Sequence, residues 1–473
     1  MGQPPPSRSI SDSLRDNLLA RFLSLQQLVE NFRLRLPPYG PKKFAELALK
    51  LVDIGRERLL ASLAALPAAD RERMTLEVVR TYSKVADKIH ETVLPYLVHD
   101  ARATLPCELI PTLLAAVRKY VPTMEIALEP WCLYNFQVSG IPPAELPKEI
   151  GLDEQGAGAC GSDLEWIIAL SFPYIEETNA LQHPLFVHEI GHLVDRAKRL
   201  SVSLGLAPDK AVLDSLVDEL VKLASTGLLG TVPYPTGLAD QTRKFVTGLA
   251  IKVLGDWTQE LVADSFAIAI AGPSYFFAFA DLSHTRANPN GHADSHPAPD
   301  FRLDRMLGRL EQMGYLTDGQ GPSRHGPVTS RLKEWRKRLA TKYVRTGPVH
   351  DLIERSLTLQ SLEKLDKAVD LCVGADAFTS ARFDQITPDL VERLARGILP
   401  VEDHFGGTPA TVFDIFNAGW MLYLDRLADF EDVLHVATDD DHFRALSNLS
   451  ELILKSVQLA EVSQRWPKGA PLP

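Results

Sequence analysis

The chain has 473 residues, of which 45% are hydrophobic and 23% are charged, and its formal net charge at pH 7 is −11. A chain of this length can bury a large core and is expected to form about two to four structural units. The acidic balance argues against non-specific binding to nucleic acid or to anionic membranes.

The first 104 residues are predicted to form a helical region without chemistry of its own. Apolar residues recur at helical spacing from Leu14 to Phe32, and the prolines at positions 37 and 38 end that pattern. The start of the chain has neither the basic nor the apolar segment of a signal peptide. The four cysteines lie far apart and form no CxxC pair, which fits a reducing compartment. We therefore expect a cytoplasmic protein.

The segment 105–315 has mixed character. Residues 123–128 and 166–172 are predicted to be strands, the second of them buried, in a small sheet flanked by helices. The apolar run 261–280 contains Asp264 and is interrupted at Gly272-Pro273, so it is interpreted as a buried core helix and not as a membrane span.

The strongest chemical signal is an HExxH motif at His188-Glu189-Ile190-Gly191-His192. In a helix the two histidines lie one turn apart on one face, so both imidazoles can bind one zinc ion. Glu189 then lies beside the metal, where it can act on a bound water. An apolar stripe on another face predicts an amphipathic helix that begins near Pro184 and ends near Gly205.

Two carboxylates, Glu260 and Asp264, stand four residues apart in an otherwise apolar helical segment. Buried carboxylates are unfavourable unless they are paired or bind a metal, and like charges at this spacing repel each other. A cation beside them resolves both problems, which makes Glu260 the best candidate for a third zinc ligand. Asp264 would hold a ligand histidine through its second ring nitrogen. The alternative is that both carboxylates pair with arginine or lysine.

A third element contains His296 and Arg302. Pro299 is expected to open a helix that runs to about Met313, and Arg302 would lie in its first turn, where the helix dipole disfavours a cation. This placement suggests that Arg302 faces an anion, which in a peptidase would be the tetrahedral oxyanion. A surface histidine and a solvated arginine are an equally weighted alternative.

Beyond a predicted Gly/Pro-rich linker, residues 328–466 are predicted to be a carboxy-terminal helical region. Its most hydrophobic part is the segment 412–427. The predicted fold class is therefore mostly α with a small β-sheet. The sequence contains no phosphate-binding glycine loop ending in Gly-Lys-Ser/Thr and no GxSxG nucleophile elbow. No cofactor-binding residue besides candidate metal ligands is predicted.

In this order, the three elements resemble the gluzincin zinc metallopeptidases, and within them the CaaX prenyl-protease-like, or minimal gluzincin, group. That group carries HExxH, then a helix with ExxxD, then HPxxxxR. The resemblance covers about residues 165–305 and implies a zincin-like domain at 105–315. The CaaX prenyl proteases are built from membrane spans, and none is visible in this sequence, so prenylated substrates are not implied.

The resemblance also implies a role for each site residue. It makes Glu189 the general base and Asp264 a support for the zinc ligands. It assigns the stabilisation of the transition state to His296 and Arg302. The implied ligands of the Zn²⁺ cofactor are His188, His192 and Glu260.

We therefore expect a zinc-dependent endopeptidase, a selective processing protease that acts on protein or peptide substrates inside the cell. Two alternatives stay open, namely a zinc hydrolase of a non-peptide substrate and a catalytically weak zincin-fold protein that serves as a helical interaction scaffold. The helical flanks are candidates for binding a regulatory or oligomeric partner. No nucleic-acid partner and no membrane span are expected.

Overall fold

A computed structural model describes seventeen stretches of the chain: residues 10–35, 42–67, 71–93, 110–131, 136–141, 145–151, 166–173, 179–203, 210–225, 239–286, 296–316, 326–342, 353–354, 356–357, 359–399, 410–436 and 439–465. The chain divides into two compact units, Met1–Glu177 and Thr178–Pro473. The boundary falls inside the segment 105–315. Most of the predicted Gly/Pro-rich linker, residues 317–325, lies outside the described residues.

The first unit begins with long amphipathic helices, α1 (Ile10–Arg35), α2 (Lys42–Ala64) and α3 (Arg71–Thr92). Their apolar faces share a core that includes Phe22 and Phe44, both fully buried. The predicted amino-terminal helices are therefore present in the described residues.

The first unit also contains the small sheet. Helix α4 (Ile110–Tyr120) precedes β1 (Met124–Trp131), which is followed by β2 (Gln137–Ile141), α5 (Leu146–Glu149) and β3 (Trp166–Pro173). Strand β3 lies between the other two, parallel to β1 and antiparallel to β2. Its residues 167–172 are all buried, as expected for the central strand of a covered sheet.

A buried carboxylate joins the sheet of this unit to its helices. Glu125 on β1 accepts hydrogen bonds from the backbone N–H groups of Lys43 (3.2 Å) and Phe44 (2.9 Å) in the first turn of α2. These amides have no partner within the helix, and the helix dipole favours an anion there. Burial nevertheless raises the pKa of Glu125 above its ordinary value. The role of this carboxylate is thus to cap a helix.

The second unit is mainly helical, and its described residues contain no strand. Its helices are α6 (Leu185–Lys198), α7 (Leu200–Ser203), α8 (Lys210–Ser225), α9 (Ala239–Ala271), α10 (Pro273–Arg286), α11 (Pro299–Gln312), α12 (Gly326–Lys342), α13 (Leu359–Val373), α14 (Ser380–Ala395), α15 (Val412–Asp425), α16 (Leu427–Val433) and α17 (Asp439–Arg465). The fold is therefore mostly α with a small three-stranded sheet, as the sequence predicts.

The motif helix α6 starts after Pro184 as expected, but it ends earlier than predicted. Arg199 adopts a left-handed conformation (φ 54°) and terminates it, so the predicted end near Gly205 is wrong. Asp195 accepts hydrogen bonds from the backbone N–H (2.6 Å) and the hydroxyl (2.7 Å) of Ser201, and thereby caps the short helix α7. This local cap stabilises the bend, and it could not be read from helical periodicity.

Helices α9 and α10 form the centre of the second unit. Every residue from 261 to 280 is buried, as predicted for this apolar run. The chain bends between the two helices at Gly272, whose φ of 62° suits glycine, and Pro273 opens α10. No helix in the described part of the chain is both long and apolar enough to span a bilayer.

Carboxy-terminal helix α15 stabilises this bend and the start of α6. Asn417 accepts a hydrogen bond from the backbone N–H of Ser274 (2.9 Å) and donates one to the carbonyl of Ala271 (2.8 Å). The indole N–H of Trp420 donates to the carbonyl of Leu181 (2.9 Å), just before the motif helix. The helices after the linker therefore belong to the packing around the motif.

Candidate metal centre

Helices α6 and α9 approach each other closely at Gly191, between the two motif histidines. A Cβ atom on Gly191 would lie 2.8 Å from the Cα atom and 3.0 Å from the carbonyl oxygen of Ala263, closer than real Cβ atoms come. Only glycine therefore permits this helix spacing without a shift of the backbone. Since Ala263 is adjacent to Asp264, the close approach brings the motif histidines next to the carboxylates of α9.

Three potential ligand atoms converge at this point. The Nε2 atoms of His188 and His192 are 3.1 Å apart. The carboxylate of Glu260 has one oxygen 3.3 Å from Nε2 of His192 and the other 3.4 Å from Nε2 of His188. His188 and Glu260 are buried, and His192 is partly exposed. A carboxylate oxygen and two imidazole nitrogens therefore surround one point at the edge of the solvent.

These separations fit zinc. Tetrahedral zinc with Zn–N and Zn–O bonds of about 2.0–2.1 Å holds neighbouring ligand atoms about 3.3–3.4 Å apart. Two imidazoles and one carboxylate are the ligand set of many catalytic zinc sites, which leave the fourth position to water or substrate. A Zn²⁺ ion could therefore be bound by three protein ligands, His188, His192 and Glu260.

The surroundings of His188 select the tautomer that such a site needs. Its Nδ1 atom lies 3.0 Å from Oδ1 of Asp264 and 3.1 Å from the hydroxyl of Tyr275. The Tyr275 hydroxyl in turn donates to Oδ1 of Asp264 (2.5 Å). The Nδ1–H group of His188 can donate toward these oxygens, which leaves the lone pair of Nε2 directed at His192 and Glu260. This is the placement of Asp264 that the sequence predicts.

Charge at this centre favours a cation. Burial alone would lower the pKa of His188, but hydrogen bonds to Asp264 and Glu260 outweigh it and raise the pKa to about 9. Burial opposes ionisation of Asp264 as well, yet the neighbouring charge of Arg302 lowers its pKa to about 2. Burial and the charge of Asp264 raise the pKa of Tyr275, which keeps its hydroxyl protonated and able to donate.

Arg302 lies in the first turn of α11, as predicted, and it is buried. Its guanidinium makes two hydrogen bonds of 2.7 Å to the carboxylate of Asp264, and its Nη1 atom lies 3.1 Å from Glu260. The side chain also packs over the ring of Phe279, 4.4 Å from its centroid. The anions that Arg302 faces are thus two protein carboxylates, and the alternative of a solvated arginine is wrong. Its predicted action on an oxyanion stays a prediction.

The arginine does not complete the charge balance. Glu260 and Asp264 contribute two negative charges, and Arg302 contributes one positive charge, so the arginine alone does not balance the two carboxylates. The raised pKa of His188 shows that a proton on this ring can supply the remaining positive charge. A metal cation bound between the imidazoles and Glu260 would supply it in place of that proton. The carboxylates can therefore pair with arginine and bind a metal at the same time.

Of the two remaining predicted residues, His296 contacts the centre, and Glu189 follows His188 directly in α6. Glu189 is 7% exposed, and no hydrogen bond or ion pair joins its carboxylate to any other described residue. His296 has a half-exposed side chain, and its Nε2 atom lies 3.4 Å from Oε1 of Glu260. The structure thus gathers the predicted site residues in the second unit: His188, Glu189, His192, Glu260, Asp264, His296 and Arg302.

Sequence reasoning missed Tyr275 and the packing role of Gly191. Tyr275 stands in the run Tyr-Phe-Phe-Ala-Phe, which is indistinguishable from ordinary core sequence. A further histidine just before the motif helix, His183, is not among the residues that converge at the centre. His183 is buried, and its ring contacts those of Phe186 and Phe416.

Comparisons with protein-family models, with curated proteins and with solved structures found no match to this chain.

Proposed function

We propose that this protein is a zinc-dependent metallopeptidase that hydrolyses internal peptide bonds of a protein or peptide substrate. The observation that carries the proposal is the convergence of His188, His192 and Glu260 at 3.1–3.4 Å, with Glu189 beside the first histidine. A structural zinc site has four protein ligands and needs no base, whereas this centre offers three ligands and a carboxylate next to them.

Bound Zn²⁺ would act as a Lewis acid that polarises the peptide carbonyl and makes water acidic enough to attack at neutral pH. Glu189 accepts the proton from the attacking water and delivers it to the amine nitrogen that leaves. Its carboxylate has no partner among the described residues, so it is available for this exchange. Glu189 therefore acts first as the proton acceptor and then as the proton donor.

The other residues of the centre position or stabilise. Asp264 and Tyr275 fix the ring of His188 from behind. Arg302 favours the ionised forms of Asp264 and Glu260, and its guanidinium is paired with both carboxylates. His296 is the exposed donor at the edge of the centre, so it is the better candidate to contact the oxyanion that forms on the substrate.

A selective protease that acts on a limited set of substrates fits the proposal best, because an unrestricted peptidase would damage the cell that makes it. The test is the full chain loaded with one equivalent of zinc and incubated with a diverse peptide library. We expect cleavage at internal bonds, with a preference that the products reveal. A chain that binds zinc and cleaves no peptide would favour the hydrolase of a non-peptide substrate or the scaffold.

The matched pair of variants is Glu189→Gln and Asp195→Asn. Both carboxylates are buried on α6, but Asp195 is engaged by Ser201. Loss of a general base lowers turnover by about 10²–10⁴-fold, so Glu189→Gln should bind zinc normally and lose turnover to this extent. Asp195→Asn should keep turnover within a few-fold of the wild type. Equal cleavage by wild type and Glu189→Gln would refute the assignment of the base.

A further inference from the structure

A second cluster of buried charge lies behind the metal centre, around Asp366 on α13. The side chain of Asp366 is almost fully buried, and one of its oxygens accepts a hydrogen bond from the hydroxyl of Ser265 (2.8 Å). Its other oxygen pairs with the guanidinium of Arg305, which also donates to the carbonyl of Leu362 on α13 (3.1 Å). The Nε atom of Arg309 lies 3.8 Å from the same carboxylate.

The partners of Asp366 sit next to the groups that form the centre. Ser265 follows Asp264 directly in α9, and Arg305 lies one turn after Arg302 in α11. One carboxylate on a third helix therefore links α9 and α11 close to the point where Arg302 and Asp264 are joined.

We propose that Asp366 is a positioning residue for the metal centre. By holding Ser265 and Arg305 at once, it fixes the relative placement of α9, which carries Glu260 and Asp264, and α11. This inference rests on the proposed zinc site. Outer partners of metal ligands affect metal affinity by about 10–100-fold when they are removed, and close-packed interiors transmit small displacements.

The next turn of the same helix supplies a control. Asp370 also pairs with an arginine of α11, Arg309, but its side chain is half exposed, and no hydrogen bond or ion pair joins it to the described residues of α9. A general effect of lost ion pairs between α13 and α11 would appear in variants of both aspartates. A positioning effect on the centre would appear only at Asp366.

The experiment uses the full chain, stripped of metal and reloaded. Zinc affinity is measured by competition with a chelator, and ligand geometry is measured from the visible absorption spectrum of the Co²⁺-loaded chain. We expect Asp366→Asn to weaken zinc binding by up to about tenfold and to change the Co²⁺ spectrum. Asp366 contacts no proposed ligand itself, so its effect should lie at or below the low end of the range for direct partners of the ligands. Ser265→Ala should do the same to a smaller degree, whereas Asp370→Asn should match the wild type in both measurements.

Each outcome decides the proposal. A folded Asp366→Asn chain with wild-type affinity and spectrum would overturn it, and so would an Asp370→Asn chain with the same loss as Asp366→Asn. If Asp366→Asn does not fold, Ser265→Ala decides, since it removes a single hydroxyl; a wild-type affinity and spectrum in that variant overturns the proposal. A wild-type chain that binds neither metal would instead refute the proposed function, and this inference with it.

Discussion

The amino-terminal end of α2 and the face between α6 and α9 both bury a glutamate, but the two carboxylates have different partners. Glu125 accepts hydrogen bonds from two backbone amides of α2. Glu260 lies among three imidazoles, those of His188, His192 and His296, and the guanidinium of Arg302, all of them side-chain groups. Both regions thus bury a carboxylate. The chemical nature of the groups around that carboxylate distinguishes a helix cap from a candidate metal ligand.

The largest difference between the two regions should appear when each glutamate is neutralised. Glu260→Gln removes the only carboxylate among the three proposed ligands, so we expect zinc affinity to fall more than about 100-fold, beyond the range of outer-partner changes. Glu125→Gln should leave zinc affinity unchanged, because the proposed ligands all lie in the second unit. Chelator competition on both variants measures this. Equal zinc affinity of Glu260→Gln and wild type would show that Glu260 is no ligand.

Tyr275→Phe tests whether a residue that contacts a proposed zinc ligand affects zinc affinity. The variant removes the hydroxyl shared by Asp264 and His188, and we expect zinc affinity to fall about tenfold. The control is Tyr315→Phe, another buried tyrosine, whose hydroxyl donates to the carbonyl of Phe378. That variant should lose about 1 kcal/mol of unfolding free energy and no zinc affinity. A fall in zinc affinity of the same size in both variants would contradict the assignment.

Substitution by alanine at two glycines of the second unit should change the free energy of unfolding in opposite directions. Gly191→Ala places a Cβ against the backbone of Ala263, so we expect the free energy of unfolding to fall by about 1–3 kcal/mol and zinc binding to weaken. A Cβ atom on Gly248, in α9, would have no atom of the described residues within 4 Å, and Gly248→Ala should stabilise the helix by about 0.5–1 kcal/mol. Chemical denaturation and zinc titration measure both. An unaltered Gly191→Ala chain would mean that the helix spacing is not set there.

The smallest effect is expected at the helix cap, where the stabilities of the wild type and of the Glu125→Gln variant should depend differently on pH. The pKa of Glu125 is raised in the folded chain because burial disfavours its charged form. Its contribution to stability is therefore full below the pKa of the unfolded chain and is lost as pH rises through the folded pKa. We expect the stability of the wild type relative to Glu125→Gln to decrease over that interval. A relative stability that rises with pH would give the opposite sign and contradict this account of the cap.

The elements that sequence reasoning located well are those with a local signal. The strand at residues 166–172, the interruption at Gly272-Pro273 and the helix that starts at Pro299 each depend on periodicity or on proline and glycine, which act within a few residues. The predicted end of α6 is wrong because Arg199 and the Asp195 cap carry no periodic signal.

The candidate site was predictable only in part for the same reason. The spacing of the histidines and the cost of burying Glu260 and Asp264 are visible in the sequence. The contact between Gly191 and Ala263, the hydroxyl of Tyr275 and the cluster at Asp366 depend on packing between helices distant in the chain. Tertiary proximity of this kind has no signature in one sequence.

The most direct test of the central claim is the zinc X-ray absorption spectrum of the full chain loaded with one equivalent of zinc. With His188, His192 and Glu260 as ligands, we predict a first shell of nitrogen and oxygen atoms only, at about 2.0–2.1 Å, with the outer scattering of two imidazoles. A sulfur atom at about 2.3 Å, the Zn–S distance of a cysteine ligand, or a chain that retains no zinc would contradict the account.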